Sequence, residues 1–462
     1  MNMIDEARNP VNRNAALLVA TLSSFFTPFM ASSINIALPA IAREFSMNAI
    51  LLSWIATSYL LAAAMFLVPF GKIADIFGRK KVFAWGIAIY TVASLLTAIS
   101  ANSFQLIASR VIQGIGGAMI FGTGVAILTS VFPPQQRGRV LGINVAAVYS
   151  GLSLGPFIGG ILTQHWGWRS IFWINTGLGL ITIILVLWKL TGEWAEAKGE
   201  QLDLVGSIIY GLVLVGLMYG FSLLPRSAAL WLILVALLGI MAFVWWELRI
   251  ANPVLNLRLF RHNQVLTFSN LAALINYSAT SAVAFLLSLY LQYIKALTPQ
   301  QAGVVLVSQP IVMALLSPAA GRLSDKVEPR VVASIGMMVT VVGLAMLISF
   351  KQHTPIWFII ANLVLLGIGF ALFSSPNTNA VMSSVEKKYY GVASATLATM
   401  RLVGQMFSMG IAMLIFALII GKVKITPDKY PAFLAAMRVA FTVFALFCSA
   451  GIFASLARGK VR

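Results

Sequence analysis

Gly71-Lys72-Ile73-Ala74-Asp75-Ile76-Phe77-Gly78-Arg79-Lys80-Lys81 stands between two long apolar stretches, and Gly321-Arg322-Leu323-Ser324-Asp325-Lys326 repeats its pattern late in the chain. Both open on glycine and a basic residue, place aspartate fifth and continue with basic residues, Arg330 closing the second. The runs that flank them are long enough to cross a hydrocarbon layer roughly 30 Å thick, which takes about 20 helical residues. Fourteen such runs follow from hydropathy: 15–39, 51–70, 82–100, 104–131, 140–162, 170–190, 204–224, 229–248, 264–292, 302–320, 331–350, 355–375, 390–421 and 432–457. Each marked segment follows the second run of a block of six. The chain therefore reads as an all-α polytopic membrane protein of six spans, an inserted pair and six spans.

Composition agrees. The 462 residues are 60% hydrophobic and 10% charged, and mean hydropathy is +0.91. No soluble core hides that much apolar surface, so the solvent is lipid. The predicted parts are a segment at 1–14, a six-helix bundle at 15–190, a linker at 191–203, an inserted pair at 204–248, a second linker at 249–263, a second bundle at 264–457 and a tail at 458–462. The first run is too long for a signal-peptide core and is read as an uncleaved span.

The formal charge of +19 raises the question of nucleic acid, which its distribution answers. Of the 32 lysines and arginines, 21 fall in loops or at span ends on one side, eight on the other, and three (Arg110, Arg401, Arg438) deeper within spans. That asymmetry predicts a multi-pass protein of the plasma membrane with both termini cytoplasmic and no nucleic-acid partner. One cysteine, Cys448, excludes an internal disulfide, and no Cys/His spacing forms a metal site. His165, His262 and His353 are placed in loops. Without a G-x-x-x-x-G-K-[ST] segment or a convergent Ser/His/Asp set, the chain reads as neither an enzyme nor an ATP-driven pump, and no cofactor is expected.

In its two marked segments the sequence resembles the major facilitator superfamily, and the inserted pair is similar to the fourteen-span drug:proton antiporter branch. The resemblance implies the major facilitator fold and a conformational gate at Gly71, Asp75, Gly78, Arg79, Lys80 and Asp325. A topology anchor with a helix cap is the simpler reading of the same residues. In the fifth span Gly151, Gly155 and Gly159 recur every four residues beside Pro156 and Gly160. They offer one face for close helix approach and a kink, and resemble the signature of exporters. A plain packing face is the alternative.

Arg110 and Gln113 in the fourth span resemble a further family motif, and Arg401 and Gln405 lie near the middle of the thirteenth. An arginine inside a span faces protein or water rather than lipid. With Asn35, Trp54, Tyr59, Asn276 and Tyr277, these residues are the expected substrate cavity, although each polar one is equally readable as an interhelical hydrogen bond. Ser375-Pro376-Asn377-Thr378-Asn379 is expected to break the twelfth span near the cavity.

One feature departs from the branch. Where its members carry an aspartate in span one, Met30 stands here, and none of the 13 acidic residues falls deep in a predicted span. A guanidinium does not release its proton in the physiological range. Coupling then rests on a rim carboxylate such as Asp75 or Glu44, on an anionic substrate, or on no proton at all. The leading expectation is export of small amphipathic organic compounds by alternating access. Export or exchange of an organic anion held by Arg110 and Arg401 is a second, and a non-transporting receptor or lipid-handling protein a third. Small molecules, lipid and possible coupling protons are the expected partners, with no obligate protein partner.

Overall fold

The computed structural model describes residues 12–251, 253–255, 257–261, 263–386 and 390–459. Most of the expected N-terminal segment, Asn252, His262 and the last three residues of the tail lie outside them. Among the described residues there are 14 helices long and apolar enough to cross a membrane, and no strand. The first half holds α1 (Arg13–Glu44), α2 (Ala49–Phe77), α3 (Arg79–Ala98), α4 (Ser103–Val131), α5 (Pro134–Trp166) and α6 (Arg169–Lys189). The inserted pair is α7 (Leu204–Leu223) and α8 (Ser227–Glu247). The second half holds α9 (Gln264–Ile294), α10 (Pro299–Lys326), α11 (Pro329–Ile348), α12 (Ile356–Ser383), α13 (Tyr390–Ile419) and α14 (Tyr430–Ala457).

Polar residues set where these helices begin. Asn12, Asn48, Asn102, Asp203, Asn263 and Thr298 each accept a backbone N–H of the first turn through the side chain, meeting donors that hydrocarbon cannot satisfy. The signature segment is more helical than hydropathy alone predicts. α2 continues through Gly71 to Phe77 and α3 starts at Arg79, so Gly78 alone, at φ 121°, makes the corner. Its echo, Gly321–Lys326, is likewise the last turn of α10.

Two further expectations need correction. α12 runs unbroken through Pro376. The irregular helices are α9, interrupted at Ser281 and wound as a π turn over Tyr290–Ile294, and α10, interrupted at Val307. Arg458, expected in a basic tail, is fully buried. It donates to Asn377 Oδ1 at 2.9 Å and to the Pro329 carbonyl at 2.9 Å, fastening the end of α14 into the second half.

Because successive helices alternate in direction, the loops fall on two faces: a basic face holding the signature segments, and a far face. The halves are pinned together toward the far face. Ser288 donates to the Asn35 carbonyl at 2.5 Å and Gln292 to that of Ile36 at 3.0 Å. Ala49 N–H donates to the Val423 carbonyl at 3.1 Å. His165, which closes α5 rather than lying in a loop, meets Gln300 at 3.3 Å. α7 lies beside the seam between α2 and α13: Tyr210 donates to the Ala64 carbonyl at 3.1 Å, and Met218 packs on Gly410. α8 turns Leu230, Trp231, Val235, Leu238 and Met241 outward, as lipid contact requires.

Candidate functional site

The glycine face of α5 does two jobs. A Cβ on Gly151 would lie 2.3 Å from the Phe25 carbonyl oxygen, and one on Gly159 2.8 Å from Ser33 Cβ. One on Gly155 would meet Ser32 Oγ. These three glycines seat α5 against α1, where Ser33 donates to the Gly155 carbonyl at 2.9 Å. Gly160 faces the other half instead: its Cβ would lie 2.6 Å from the Pro299 carbonyl oxygen. Reciprocally, a Cβ on Gly303 of α10 would lie 2.2 Å from the carbonyl oxygen of Pro156. Pro156 itself sits within a continuous α5. Backbone-on-backbone contact thus closes the far face between α5 and α10.

The structure separates the expected cavity residues into two groups. Arg110, Gln113 and Tyr59 come together, but inside the packed α2–α3–α4 wall, at 1%, 0% and 3% exposure. Arg110 donates to the Ile55 carbonyl at 3.1 Å and to the Gln113 amide oxygen, and its guanidinium lies 4.4 Å from the Tyr59 ring centroid. Gln113 passes the chain on to Ser94 Oγ at 2.7 Å. None of these partners is a carboxylate. The cation is held by dipoles and a ring face, and the cluster is sealed where an open cavity lining was expected.

The second group spans the halves. Tyr277 of α9 stacks edge-on to Phe370 of α12, with centroids 5.3 Å apart and planes at 90°. Met313 of α10 packs with both, and Tyr149 of α5 closes the cluster from the first half. Tyr149 lies 3.5 Å from Ser374 Oγ, toward which its hydroxyl donates. Arg401 sits at the edge, donating to Thr378 Oγ1 at 2.6 Å, with its guanidinium 5.7 Å from the Tyr277 centroid and its Nε buried without a partner. Gln405 follows one turn on, half-buried. Asn276 is fully buried and neither polar atom of its amide has a partner.

Tyr149, Met313, Phe370 and Ser374 were not singled out from the sequence, whereas Thr378 belongs to the stretch expected near the cavity. Ser374 and Thr378 stand one turn apart beside Pro376, and that spacing was the available signal. The remaining two expected residues lie on the seam. Asn35 offers its carbonyl to Ser288, and Trp54 and Phe221 both pack on the cluster of Ile50, Met413 and Ala417 where α2, α7 and α13 meet.

At the basic face the residues of the first half expected to form a gate are strapped by the linker that follows α6. Arg79 pairs with Asp75 at 2.8 Å and with Glu196 at 2.7 Å, and donates to Ser130 Oγ at 2.5 Å. Glu193 accepts the backbone N–H groups of Lys80 and Lys81 at 2.8 and 3.2 Å, capping α3 where the helix dipole favours an anion. Ala197 N–H donates to the Asp75 carbonyl at 2.9 Å, and Lys72 pairs with Glu200. Gly78 is where Glu193 lies closest: a Cβ there would stand 2.4 Å from its carboxyl carbon. A Cβ on Gly71, by contrast, would meet nothing within 4 Å. In the second half Asp325 accepts from Asn379 at 3.1 Å. Glu44, considered for coupling, is occupied at the far face by Arg169 at 2.7 Å and Trp168 at 2.7 Å.

Two six-helix halves meeting at a mid-depth polar and aromatic cluster define a secondary-transporter architecture. The sequence profile of the Major Facilitator Superfamily matches residues 20–248 and 269–460, and the chain belongs to that family. It is 32% identical over 388 residues to the riboflavin transporter RibZ of Clostridioides difficile, covering 83% of this chain and 84% of that protein. It is 30% identical over 406 residues to the multidrug resistance protein Stp of Mycobacterium tuberculosis, covering 85% and 74%. In fold it matches a bacterial homologue of the human lysosomal transporter Spinster, with TM-score 0.70, 15% identity and coverage of 96% and 97%. The chain is a multi-pass membrane transporter and not an enzyme.

Proposed function

We propose that this transporter exports small, amphipathic aromatic compounds by alternating access, binding them between Tyr149, Tyr277, Phe370 and Met313 with an anionic or electron-rich edge on Arg401. The observation that carries the reading is that the aromatic cluster draws on both halves. A ligand stacked there is released when the halves rock apart. Polarizable rings and a methionine accept varied flat molecules, and the names of the relatives, a riboflavin transporter and a multidrug resistance protein, support small organic cargo. The basic face is taken as cytoplasmic, with both termini there and the protein in the plasma membrane, on the 21-to-8 split of basic residues. Far-face closure then makes this the inward-facing state, with the glycine contacts of α5 and α10 as its seal and the Asp75–Arg79 strap as the gate.

A second reading is exchange of an organic anion without protons. It is favoured by the partners of Arg401, a hydroxyl and a ring, which leave its charge for a ligand. Arg110 drops out of this version because it is sealed. Both readings are tested in reconstituted vesicles with and without a pH gradient, using cationic, neutral and anionic aromatic compounds. Arg401→Gln removes a charge-assisted hydrogen bond worth about 1.5–3 kcal/mol, so affinity for anionic compounds is expected to fall roughly 10- to 150-fold while neutral ones change little. Equal transport of all three classes by the variant would eliminate the arginine from recognition. Transport insensitive to the gradient selects exchange over antiport.

A further inference from the structure

Asp203 and Glu247 form a carboxyl pair that the transport cycle above does not use. Asp203 caps α7, its Oδ1 accepting from Gly206 N–H at 2.8 Å and from Trp246 Nε1 at 3.0 Å. Glu247 ends α8 and is fully buried, and Asp203 is 4% exposed. One Glu247 oxygen accepts from Leu255 N–H at 3.0 Å. The other, Oε1, is buried with no donor. Gly206 brings the two acids together: a Cβ there would lie 2.2 Å from Asp203 Oδ2 and 2.6 Å from Glu247 Oε1. Asp203 Oδ2 and Glu247 Oε1 therefore face the same small space beside Gly206.

Two carboxyl oxygens bond to one another only when one of them carries a proton, because ionised carboxylates are acceptors alone. Among the described residues, three basic side chains on this face already have partners. Arg258 donates to the Leu248 and Ile250 carbonyls, Arg249 stacks on Trp245 at 3.9 Å, and Lys72 pairs with Glu200. Tyr210, the nearest titratable group along α7, donates to the Ala64 carbonyl. α7 carries no charged residue of its own. Asp203 stands three residues after Glu200, the last residue of the strap that holds the gate.

We propose that Asp203 and Glu247 are a proton-binding site that ties the linker strap to the inserted helix pair. With one shared proton the carboxyls hydrogen-bond and fix the end of the linker against α8. When that proton leaves to water at the basic face, two like charges face each other in a buried place, the contact opens and the strap over Asp75 and Arg79 loosens. The inserted pair thereby makes gate strength a function of pH on the basic side. This inference stands independently of which compound is carried.

The test uses the full chain in lipid nanodiscs across a pH series. Infrared difference spectra read a buried protonated carboxyl, and hydrogen exchange of residues 191–200, corrected for the intrinsic rate, reads the strap. The wild type is expected to lose the protonated-carboxyl band and strap protection together as pH rises. Glu247→Gln, whose amide donates permanently to Asp203, is expected to lack the band and keep the strap protected at every pH. Asp203→Asn, which retains a helix cap, carries the same test should the first variant fail to fold. A band that survives in both variants, or strap protection that titrates in a variant as in the wild type, overturns the proposal. So does a wild type with no such band at any pH where it is folded. A response to sodium at fixed pH in place of a response to pH would make the pair a cation site and overturn it equally.

Discussion

Replacing Gly303 by alanine places a methyl group on the seal that closes the far face. The added Cβ would lie 2.2 Å from the Pro156 carbonyl oxygen, whereas ordinary contact begins at 3.4 Å, so α5 and α10 must separate there by about 1.2 Å. Both atoms belong to backbone or to the first side-chain carbon, so no rotamer change relieves the clash. Overpacking of this kind costs about 1–3 kcal/mol. The cost falls on the far-face-closed state, because opening that face draws α5 and α10 apart at this point. The equilibrium between access states should therefore shift toward far-face-open by roughly 5- to 150-fold. Spin labels at Ala101 and His353, exposed far-face positions in the two halves, measure it directly, since the native thiol of Cys448 is buried. Gly151→Ala is the control. Its Cβ would collide with the Phe25 carbonyl oxygen at 2.3 Å, within one half, and should lower stability without moving the distance distribution. A wild-type distribution for Gly303→Ala, or an equal shift for both variants, would refute the assignment of this contact as the seal.

The basic-face strap makes graded predictions. Glu196→Gln breaks a pair whose acid is 66% exposed and should cost under about 1 kcal/mol, read as a small rise in hydrogen exchange over residues 191–200. Gly78→Ala forces an alanine into φ 121° and against Glu193. It should cost about 1–3 kcal/mol and release the strap by the same measurement. In the sealed cluster, Arg110→Met leaves the Gln113 amide oxygen without its donor, at about 1–3 kcal/mol, and takes from the helical Ile55 carbonyl its second donor. Its melting temperature should fall while substrate affinity per folded molecule is unchanged, and an affinity loss without a stability loss would return Arg110 to the binding site. Tyr149→Phe keeps the ring and removes the donor to Ser374, so transport of aromatic compounds should change less than threefold, whereas Tyr149→Ala should lose about tenfold or more.

How much of this was legible beforehand depends on whether the responsible force is local. The fourteen helices follow from hydropathy and end caps, which a chain in hydrocarbon must satisfy within each segment. The glycine spacing in α5 announced a close helix neighbour, yet not that Gly160 belongs to a different contact from Gly151, Gly155 and Gly159. One turn of helix and the position of α10 decide that, and neither is written in α5. The arginines fail in the same way. Arg110 and Arg401 look alike as lone cations within spans, but one is wrapped by Tyr59, Gln113 and Ile55 of its own bundle. The other meets a hydroxyl and a ring where the bundles face each other. Only packing between distant segments separates a cation sealed within one bundle from one placed where the bundles meet. Glu247 is the sharpest case. At the end of a span it reads as a solvated boundary residue, and its burial arises because a second linker folds back to give it Leu255 N–H while Gly206 admits Asp203. A glycine three residues after a capping aspartate was the available sign that something large must fit beside that helix start.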